Sequence, residues 1–228
     1  MFEEIAVVDS CWGSGMLKIV IDEQNALYRH GLEMLLKQIF SAEMNVTVEI
    51  VTLNETNIAT ADIIFKNYDV GVSCICQPLL HTRRKNSLVI GLYEGSKNPR
   101  YAELPLCITD IAFVNRAEPV NKTKTTIMRG WEDCRAAQEQ KKQWSCLDCR
   151  HRTLSPQQVK IAAHFYRGDT TEKIASELQI NPKTVGAHKR MIMTKFNLNT
   201  DFELLTFLNN LLKEKRTLEL FNQSLEAN

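Results

Sequence analysis

The sequence predicts two folded domains, an α/β domain with a parallel sheet flanked by helices and then an all-α domain of four helices. The α/β assignment rests on short apolar runs that alternate with helical patterns in the first half of the chain. The all-α assignment rests on helix-capping residues placed ahead of amphipathic segments after residue 153. We expect a lead at 1–15, the α/β domain at 16–130, a linker at 131–153 and the helical domain at 154–228.

Five segments in the first domain have the character of strands. They are 17–21, 46–51, 62–65, 87–92 and 107–114, the first a short buried run and the second an alternating one. Between the first two, Leu27, Leu32, Leu35 and Leu36 have the spacing of a helix packed on a sheet. Because strands that alternate with helices imply a parallel α/β sheet, a parallel sheet is expected.

The first helix of the second domain has a well-marked start and end. Ser155 is a natural N-cap, Pro156 occupies the first helical position, and Gln158 can complete a capping box onto the Ser155 amide. Gly168 lies where a left-handed residue would end the helix. We therefore expect a helix over about 156–167.

Two further helices follow at short intervals. Thr170 or Thr171 can cap a short second helix, and Asn181 with Pro182 marks the start of a third. The third helix has an apolar side that includes Val185 and an opposite side of basic and small residues. A helix divided in this way can pack through one side and lie in a DNA major groove with the other.

The charge of the third helix is positive although the whole chain is nearly balanced. The chain has 28 basic and 27 acidic residues, yet residues 183–195 contain four basic side chains and no acidic one. A local positive surface is typical of nucleic-acid binding. The alternative is an ordinary helical bundle whose solvated face is basic.

The segment 154–198 resembles the LuxR/FixJ-type helix-turn-helix family through its Leu-Ser-Pro opening, the Gly168 turn, the run Glu172–Ala175 and the Lys-Thr-Val signature at 183–185. The resemblance implies a recognition helix that contacts double-stranded DNA, with Val185 mainly structural and His188 near phosphate. The implied DNA-binding positions are Lys183, Thr184, Val185, Gly186, His188, Lys189, Arg190 and Lys195. Gly186 replaces a longer, often basic side chain of the family, and Gln158 and Lys160 replace acidic ones.

The last helix is expected to begin at Thr200 or Asp201, and it carries more apolar residues than one core-facing stripe needs. In the resembling family the fourth helix serves dimerisation, and paired subunits then bind paired half-sites. The expected dimerisation residues are Leu204, Leu205, Phe207, Leu208, Leu211 and Leu212. The alternative is a last helix that packs only within its own chain.

The first domain resembles the receiver domain of response regulators, especially over residues 19–32. Phosphoacceptor chemistry needs an aspartate nucleophile, an acidic pair for Mg²⁺ and a lysine that neutralises the phosphoryl charge. The resemblance puts Glu23 and Gln24 at the acidic pair, Asn67 at the acceptor and Asn115 at the lysine. An amide cannot accept a phosphoryl group, so we expect a degenerate phosphorylation site. The alternative is a phosphorylatable response regulator that uses Asp69.

The seven cysteines do not follow the spacing of a secreted disulfide framework. Cys146 and Cys149 form a Cys-x-x-Cys pair, and with Cys134 and His151 a zinc site can be drawn. A second such pair is missing, which favours a plain linker. We therefore expect no metal and no cofactor.

The combined prediction is a bacterial DNA-binding transcription regulator and not an enzyme. Its tail and Lys-Thr-Val signature are similar to the Rcs-type regulators of enteric bacteria, whose auxiliary members pair with a phosphorylatable regulator. That resemblance implies a homodimer, or a heterodimer with another LuxR-type regulator, acting on genes for surface structures. A rival is an interaction protein that sequesters its partner and binds DNA weakly. With no membrane-spanning stretch and no convincing signal peptide, we expect a cytoplasmic protein.

Overall fold

The computed structural model describes residues 16–95, 99, 104–105, 108, 110–136 and 152–213. The expected lead at 1–15, most of the linker with Cys146, Cys149 and His151, and the start of the predicted fifth strand at Cys107 lie outside the described residues. Within the described part, no helix has the length and apolar character needed to cross a membrane.

The first domain is built on a sheet of five parallel strands in the order β2-β1-β3-β4-β5. The strands are β1 (Leu17–Asp22), β2 (Val48–Thr52), β3 (Ile63–Asn67), β4 (Leu88–Tyr93) and β5 (Ile111–Asn115). Each predicted strand overlaps one of these, and the predicted α/β class with a parallel sheet is confirmed. Because all strands are parallel, their carboxyl ends meet at one edge of the sheet.

Helices cover both faces of the sheet. They are α1 (Ala26–Leu36), continued by a π-helical turn (Lys37–Glu43), then α2 (Glu55–Thr60), α3 (Pro78–His81) and α4 (Val120–Ala136). Ile19 and Ile21 pack on one face with residues of α1 and α4, and Val20 packs on the other with residues of α2 and α3. α4 continues past the expected boundary at 130, and its Trp131 lies in the core beside Phe40.

The second domain contains four helices, α5 (Pro156–Tyr166), α6 (Thr171–Glu177), α7 (Pro182–Lys195) and α8 (Asp201–Lys213). The capping box between Ser155 and Gln158 is present, as the sequence predicts. Thr170 caps α6 and Asn181 caps α7 through their side-chain oxygens. Gly168 has φ +81°, the left-handed conformation expected of a residue that ends a helix.

The two domains share a continuous apolar cluster. The segment 70–75, which follows β3 and includes a 3₁₀ turn (Val72–Cys74), packs into the core formed by α5, α7 and α8. The Arg152 amide donates to the Cys74 carbonyl at 2.8 Å, and Asn210 of α8 donates to the Asp69 carboxylate at 2.9 Å. A segment of the first domain therefore forms part of the hydrophobic core of the second.

Candidate nucleic-acid interface

The orientation of α7 is fixed by its buried side. Val185 and Ile192 are fully buried, Val185 against Ile161 of α5 and Ile174 of α6. Val185 thus has the structural position that the sequence analysis expects of it, with no surface to offer DNA. The opposite side of α7 faces outward.

The outward side of α7 presents a short row of exposed residues. Lys183, Thr184 and Arg190 are exposed, and Lys183 and Arg190, which are seven residues apart, lie on the same face. Met191, which the sequence analysis does not select, is 56 % exposed beside Arg190. Lysine and arginine can reach phosphates or guanine edges, and an exposed methionine offers an apolar contact of the kind that a thymine methyl group accepts.

Gly186 leaves open space on this side of α7. Among the described residues, a Cβ atom built on Gly186 would meet nothing within 4 Å, so a methyl group there would project into open space. A Cβ atom would therefore fit without displacing a neighbour. The absence of a basic side chain at this position is therefore not imposed by packing.

Lys189 is held within the protein. Its Nζ lies 2.7 Å from the carboxylate of Asp201, at the start of α8, and 5.1 Å from the centre of the Phe165 ring. His188 is half-buried, and its Nδ1 has no hydrogen-bond partner within the described part of the chain. Lys195 is half-buried, and its carbonyl accepts from the guanidinium of Arg152. Of the expected basic contacts, Lys183 and Arg190 are therefore the most accessible.

A polar network stabilises the turn between α5 and α6. The Asp169 carboxylate lies 2.9 Å from Nδ1 of the buried His164 and accepts a hydrogen bond of 2.6 Å from Lys173. The Lys173 hydrogen bond, followed by that of His164, lowers the pKa of Asp169. The same contact with Asp169 raises the pKa of Lys173. The network fixes the start of α6 relative to α5.

The six expected dimerisation residues divide between two sides of α8. Leu204, Phe207, Leu208 and Leu211 are buried, and they pack against the rest of the second domain and against segment 70–75. Leu205 is 41 % exposed and Leu212 is half-buried. Phe202, missed by the sequence analysis, is 77 % exposed and lies on the outer side with them.

The expected phosphorylation site lies at the carboxyl edge of the sheet, and an arginine occupies it. Arg116, which follows β5, forms an ion pair with Glu23 and donates a hydrogen bond of 2.7 Å to the Asn67 side-chain oxygen. The Glu23 side chain is only 2 % exposed. The guanidinium of Arg116 thus links two of the four expected positions.

Within the described part of the chain, the other two expected positions lie outside this network. Gln24 is exposed on the surface. The side-chain amide of Asn115 donates a hydrogen bond of 2.7 Å to the Gly95 carbonyl, and its side-chain oxygen accepts one from the Ala117 amide. Asp22, beside Glu23, lies 3.4 Å from Nζ of Lys66.

Tyr28 of α1 closes the site above Arg116. The guanidinium carbon of Arg116 lies 5.0 Å from the centre of the Tyr28 ring, a cation–π arrangement. Burial raises the pKa of Tyr28, and the nearby Arg116 charge opposes that shift. No residue pattern in the family resemblance points to Arg116, because it stands one position after the residue expected to replace the family's lysine.

Asp69, the alternative phosphoacceptor, lies two residues beyond β3 at the contact between the domains. Its carboxylate accepts the hydrogen bond from Asn210 of α8. A cavity of about 720 Å³ lies beside it, between the carboxyl edge of the sheet and the turn that joins α7 to α8. Asp69 is therefore part of the interdomain contact.

Comparison with known proteins identifies the second domain. Residues 152–208 match the profile described as "Bacterial regulatory proteins, luxR family". No curated protein matches the chain.

Solved structures identify the architecture. The RcsB response regulator in complex with DNA is 16 % identical, with 86 % of this chain and 98 % of that chain covered and a TM-score of 0.50. RcsB from Salmonella enterica serovar Typhimurium, bound to the promoter P1flhDC with phosphomimetic BeF₃⁻, is 15 % identical, with 84 % and 97 % covered and a TM-score of 0.52. At this identity the likeness is one of fold. Residues 152–208 are thus a helix-turn-helix domain of the LuxR family of bacterial regulatory proteins, preceded by a domain with the fold of a response-regulator receiver.

Proposed function

We propose that this LuxR-type regulator binds double-stranded DNA through the outward side of α7, under the control of partner subunits and independently of phosphoryl transfer to its first domain. The proposed contacts are Lys183, Thr184 and Arg190, with close backbone approach at Gly186 and with His188, Lys189 and Lys195 near the phosphates. The observation that supports this most is the row of exposed basic residues opposite the fully buried Val185.

DNA binding is tested by the affinity of the full chain for a duplex selected from a random pool. Lys183→Ala and Arg190→Ala should each weaken binding, and each lost phosphate contact should lower the salt dependence of log K by about one unit. Lys122→Ala is the matched control, because Lys122 has a 70 % exposed side chain on α4 of the first domain. Equal affinities for all three variants would contradict the assignment.

The Arg116 network supports a first domain that does not accept phosphate. In phosphoryl transfer to a receiver domain, carboxylates bind Mg²⁺ and a cationic side chain neutralises the charge of the transferred phosphoryl group. Here Glu23 is neutralised by Arg116 and the acceptor position is the amide of Asn67. A buried carboxylate already paired with a guanidinium is a poor ligand for a divalent cation.

Intact mass after incubation with a small phosphodonor and Mg²⁺ tests this part of the proposal. We expect no added phosphate. A stable added phosphate that disappears in Asp69→Asn would establish the rival function, a phosphorylatable response regulator. Asn67→Asp, alone and combined with Arg116→Lys, shows whether the degenerate site is what prevents the reaction.

The outer side of α8 supports dimerisation. Phe202, Leu205, Asn209 and Leu212 recur at spacings of three and four residues, which is the pattern of a helix–helix seam. The inner residues Leu204, Phe207, Leu208 and Leu211 are already buried within the chain. We therefore assign to Leu205, Leu212 and Phe202 the contact with a second subunit, either a copy of this chain or another LuxR-type regulator.

Oligomeric state by sedimentation tests the α8 assignment. Leu205→Glu should shift the protein towards monomer, with its thermal stability unchanged. Leu208→Ala is a control on the same helix, and it should cost about 2–5 kcal/mol of unfolding free energy because it opens a cavity in the core. A dimer that survives both Phe202→Glu and Leu205→Glu would exclude this surface.

A partner-sequestering protein is the second candidate function. The open position at Gly186 and the engagement of Lys189 by Asp201 favour weak DNA contact by one subunit. In that case Lys183→Ala with Arg190→Ala would leave gene regulation intact, whereas Leu205→Glu would abolish it. DNA contact by α7 predicts that both changes abolish regulation.

The domain limits and the cellular role complete the proposal. Because Trp131 and Cys134 lie in the core of the first domain, we place that domain at 16–136 and the linker at 137–153. The helical domain then spans 154–228. The similarity to Rcs-type regulators supports a cytoplasmic role on genes for surface structures, which genome-wide mapping of the bound sites would test.

A further inference from the structure

Lys189 joins three helices of the second domain through one ammonium group. Its Nζ lies 2.7 Å from each carboxylate oxygen of Asp201, the first residue of α8, and 5.1 Å from the centre of the Phe165 ring on α5. Lys189 stands four positions after Val185 and three before Ile192, both fully buried, so its side chain begins on the packed side of α7. Helices α5, α7 and α8 therefore meet at this group.

The first turn of α8 projects from the core that holds the rest of the helix. Phe207, Leu208 and Leu211 are buried in the apolar cluster of the second domain. In contrast, the Asp201 side chain is 72 % exposed and Phe202 is 77 % exposed, so burial fixes neither of them. Within the described residues, the ion pair with Lys189 is the hydrogen-bonded contact that ties the Asp201 side chain to another helix.

This turn also carries part of the surface that we assign to the contact with a second subunit. Phe202 directly follows Asp201, and Leu205 lies about one turn further along α8. In a dimer that uses these residues, the position of the first turn relative to α7 sets the separation of the two recognition helices. Dimeric regulators bind paired half-sites at the spacing that this separation fixes.

We propose that the Lys189–Asp201 ion pair positions the first turn of α8, and Phe202 with it, so that two recognition helices reach paired half-sites at one spacing. This inference rests on the proposed DNA-binding dimer, and it makes Lys189 and Asp201 positioning residues that act through the turn. A solvent-exposed ion pair shifts an equilibrium by about 1.4- to 5-fold. Because a dimer contains two such pairs, their loss should weaken binding to paired half-sites by about 2- to 25-fold.

Hydrogen exchange of the full chain without DNA tests the positioning by itself. In Asp201→Asn the amides of residues 204–206 should exchange about 1.4- to 5-fold faster, whereas those of residues 208–211 should keep their rates. Glu203→Gln is the matched control and should exchange as the unaltered chain does. Glu203 is the other acidic residue of the first turn, its carboxylate accepts from Asn199, and it forms no ion pair within the described chain. Equal rates in Asp201→Asn and the unaltered chain would overturn the inference.

Affinities for two duplexes, one with paired half-sites and one with a single half-site, test the consequence for DNA binding. Asp201→Asn should bind paired half-sites about 2- to 25-fold more weakly and keep its affinity for the single half-site. Lys189→Arg should keep the paired-site affinity, because arginine retains both the ion pair and the contact with the Phe165 ring. Glu203→Gln should bind both duplexes as the unaltered chain does.

Two results separate this inference from the proposed function. A gain in single-site affinity with a steeper salt dependence in Asp201→Asn would overturn the inference, because it would show that Asp201 withholds Lys189 from a phosphate. Equal affinity of the unaltered chain for the two duplexes would contradict the proposed dimer instead. The exchange rates of residues 204–206 would still show whether the ion pair positions the first turn.

Discussion

Gly71 lies in close contact with residues of the second domain. Gly71→Ala tests whether the two domains are tightly packed against each other at this point. Gly71 has φ +81°, a left-handed conformation that disfavours any residue with a Cβ atom. A Cβ there would lie 2.7 Å from Cδ2 of Phe207 and 3.2 Å from Cδ2 of Leu198. Phe207 is fully buried, so its ring cannot move aside freely.

The expected cost of Gly71→Ala has two parts. The left-handed backbone costs about 1–2 kcal/mol with alanine. Overlap with a packed ring costs a further amount of about 1–3 kcal/mol. The total loss of unfolding free energy is therefore about 2–5 kcal/mol, if the domains unfold as one unit.

Gly168→Ala provides the matched control. Gly168 has the same φ of +81°, but a Cβ there would meet nothing within 4 Å. Only the backbone part should remain, about 1–2 kcal/mol. Urea denaturation followed by tryptophan fluorescence and by circular dichroism measures both variants. Equal costs for the two variants, with the two probes still coincident, would refute a packed interdomain core at Gly71.

Three further predictions follow from the sites. Gly186→Lys should tighten DNA binding and steepen the salt dependence of log K by about one unit. Gly186→Ala should only stabilise the fold, by about 0.5–1 kcal/mol. Unchanged DNA affinity in the lysine variant, measured by fluorescence anisotropy, would place Gly186 away from DNA. Arg116→Ala should cost about 3–5 kcal/mol in urea denaturation because it leaves the buried Glu23 unpaired, and the additional change Glu23→Gln should restore part of that loss. Asp169→Asn should lower the free energy of unfolding at neutral pH. The difference in unfolding free energy between the variant and the unaltered chain should shrink as the pH falls below the ordinary aspartate pKa, because the pKa of Asp169 is depressed in the folded state. A difference that is independent of pH would contradict the ionic role of Asp169.

The elements of the fold are predictable from local patterns. Runs such as 17–21 contain too many apolar residues for a strand with one wet face, which indicates a sheet covered on both sides, and the structure buries Ile19, Val20 and Ile21. The capping box at Ser155 and the Asn181 cap are also local signals, since the residues that interact are within three positions of one another.

Contacts between distant residues are not predictable in this way. Arg116 forms an ion pair with Glu23 and a hydrogen bond with Asn67 at the carboxyl edge of the sheet. No local pattern around Arg116 in the sequence predicts partners at such a distance along the chain. The packing of segment 70–75 on α8 likewise depends on how two domains meet. It explains why the last helix has more apolar residues than its own domain requires, an excess for which the sequence alone leaves open both dimerisation and packing within the chain.

The exposure of single residues on α8 is also not predictable from the local sequence pattern. Periodicity identifies an apolar helix, but it does not say which of two apolar sides another segment of the chain will cover. Leu205 and Leu212 remain accessible in part, whereas Leu208 and Leu211 do not. Phe202 escapes the sequence analysis because it lies in the first turn, outside the run of leucines.

The affinity of the full-length protein for its selected duplex, measured with and without a small phosphodonor and Mg²⁺, tests whether DNA binding is independent of phosphoryl transfer. We expect one dissociation constant under both conditions, an unchanged intact mass and a large loss of affinity in the variant that combines Lys183→Ala with Arg190→Ala. An affinity that rises on phosphorylation and returns to its starting value in Asp69→Asn would contradict it.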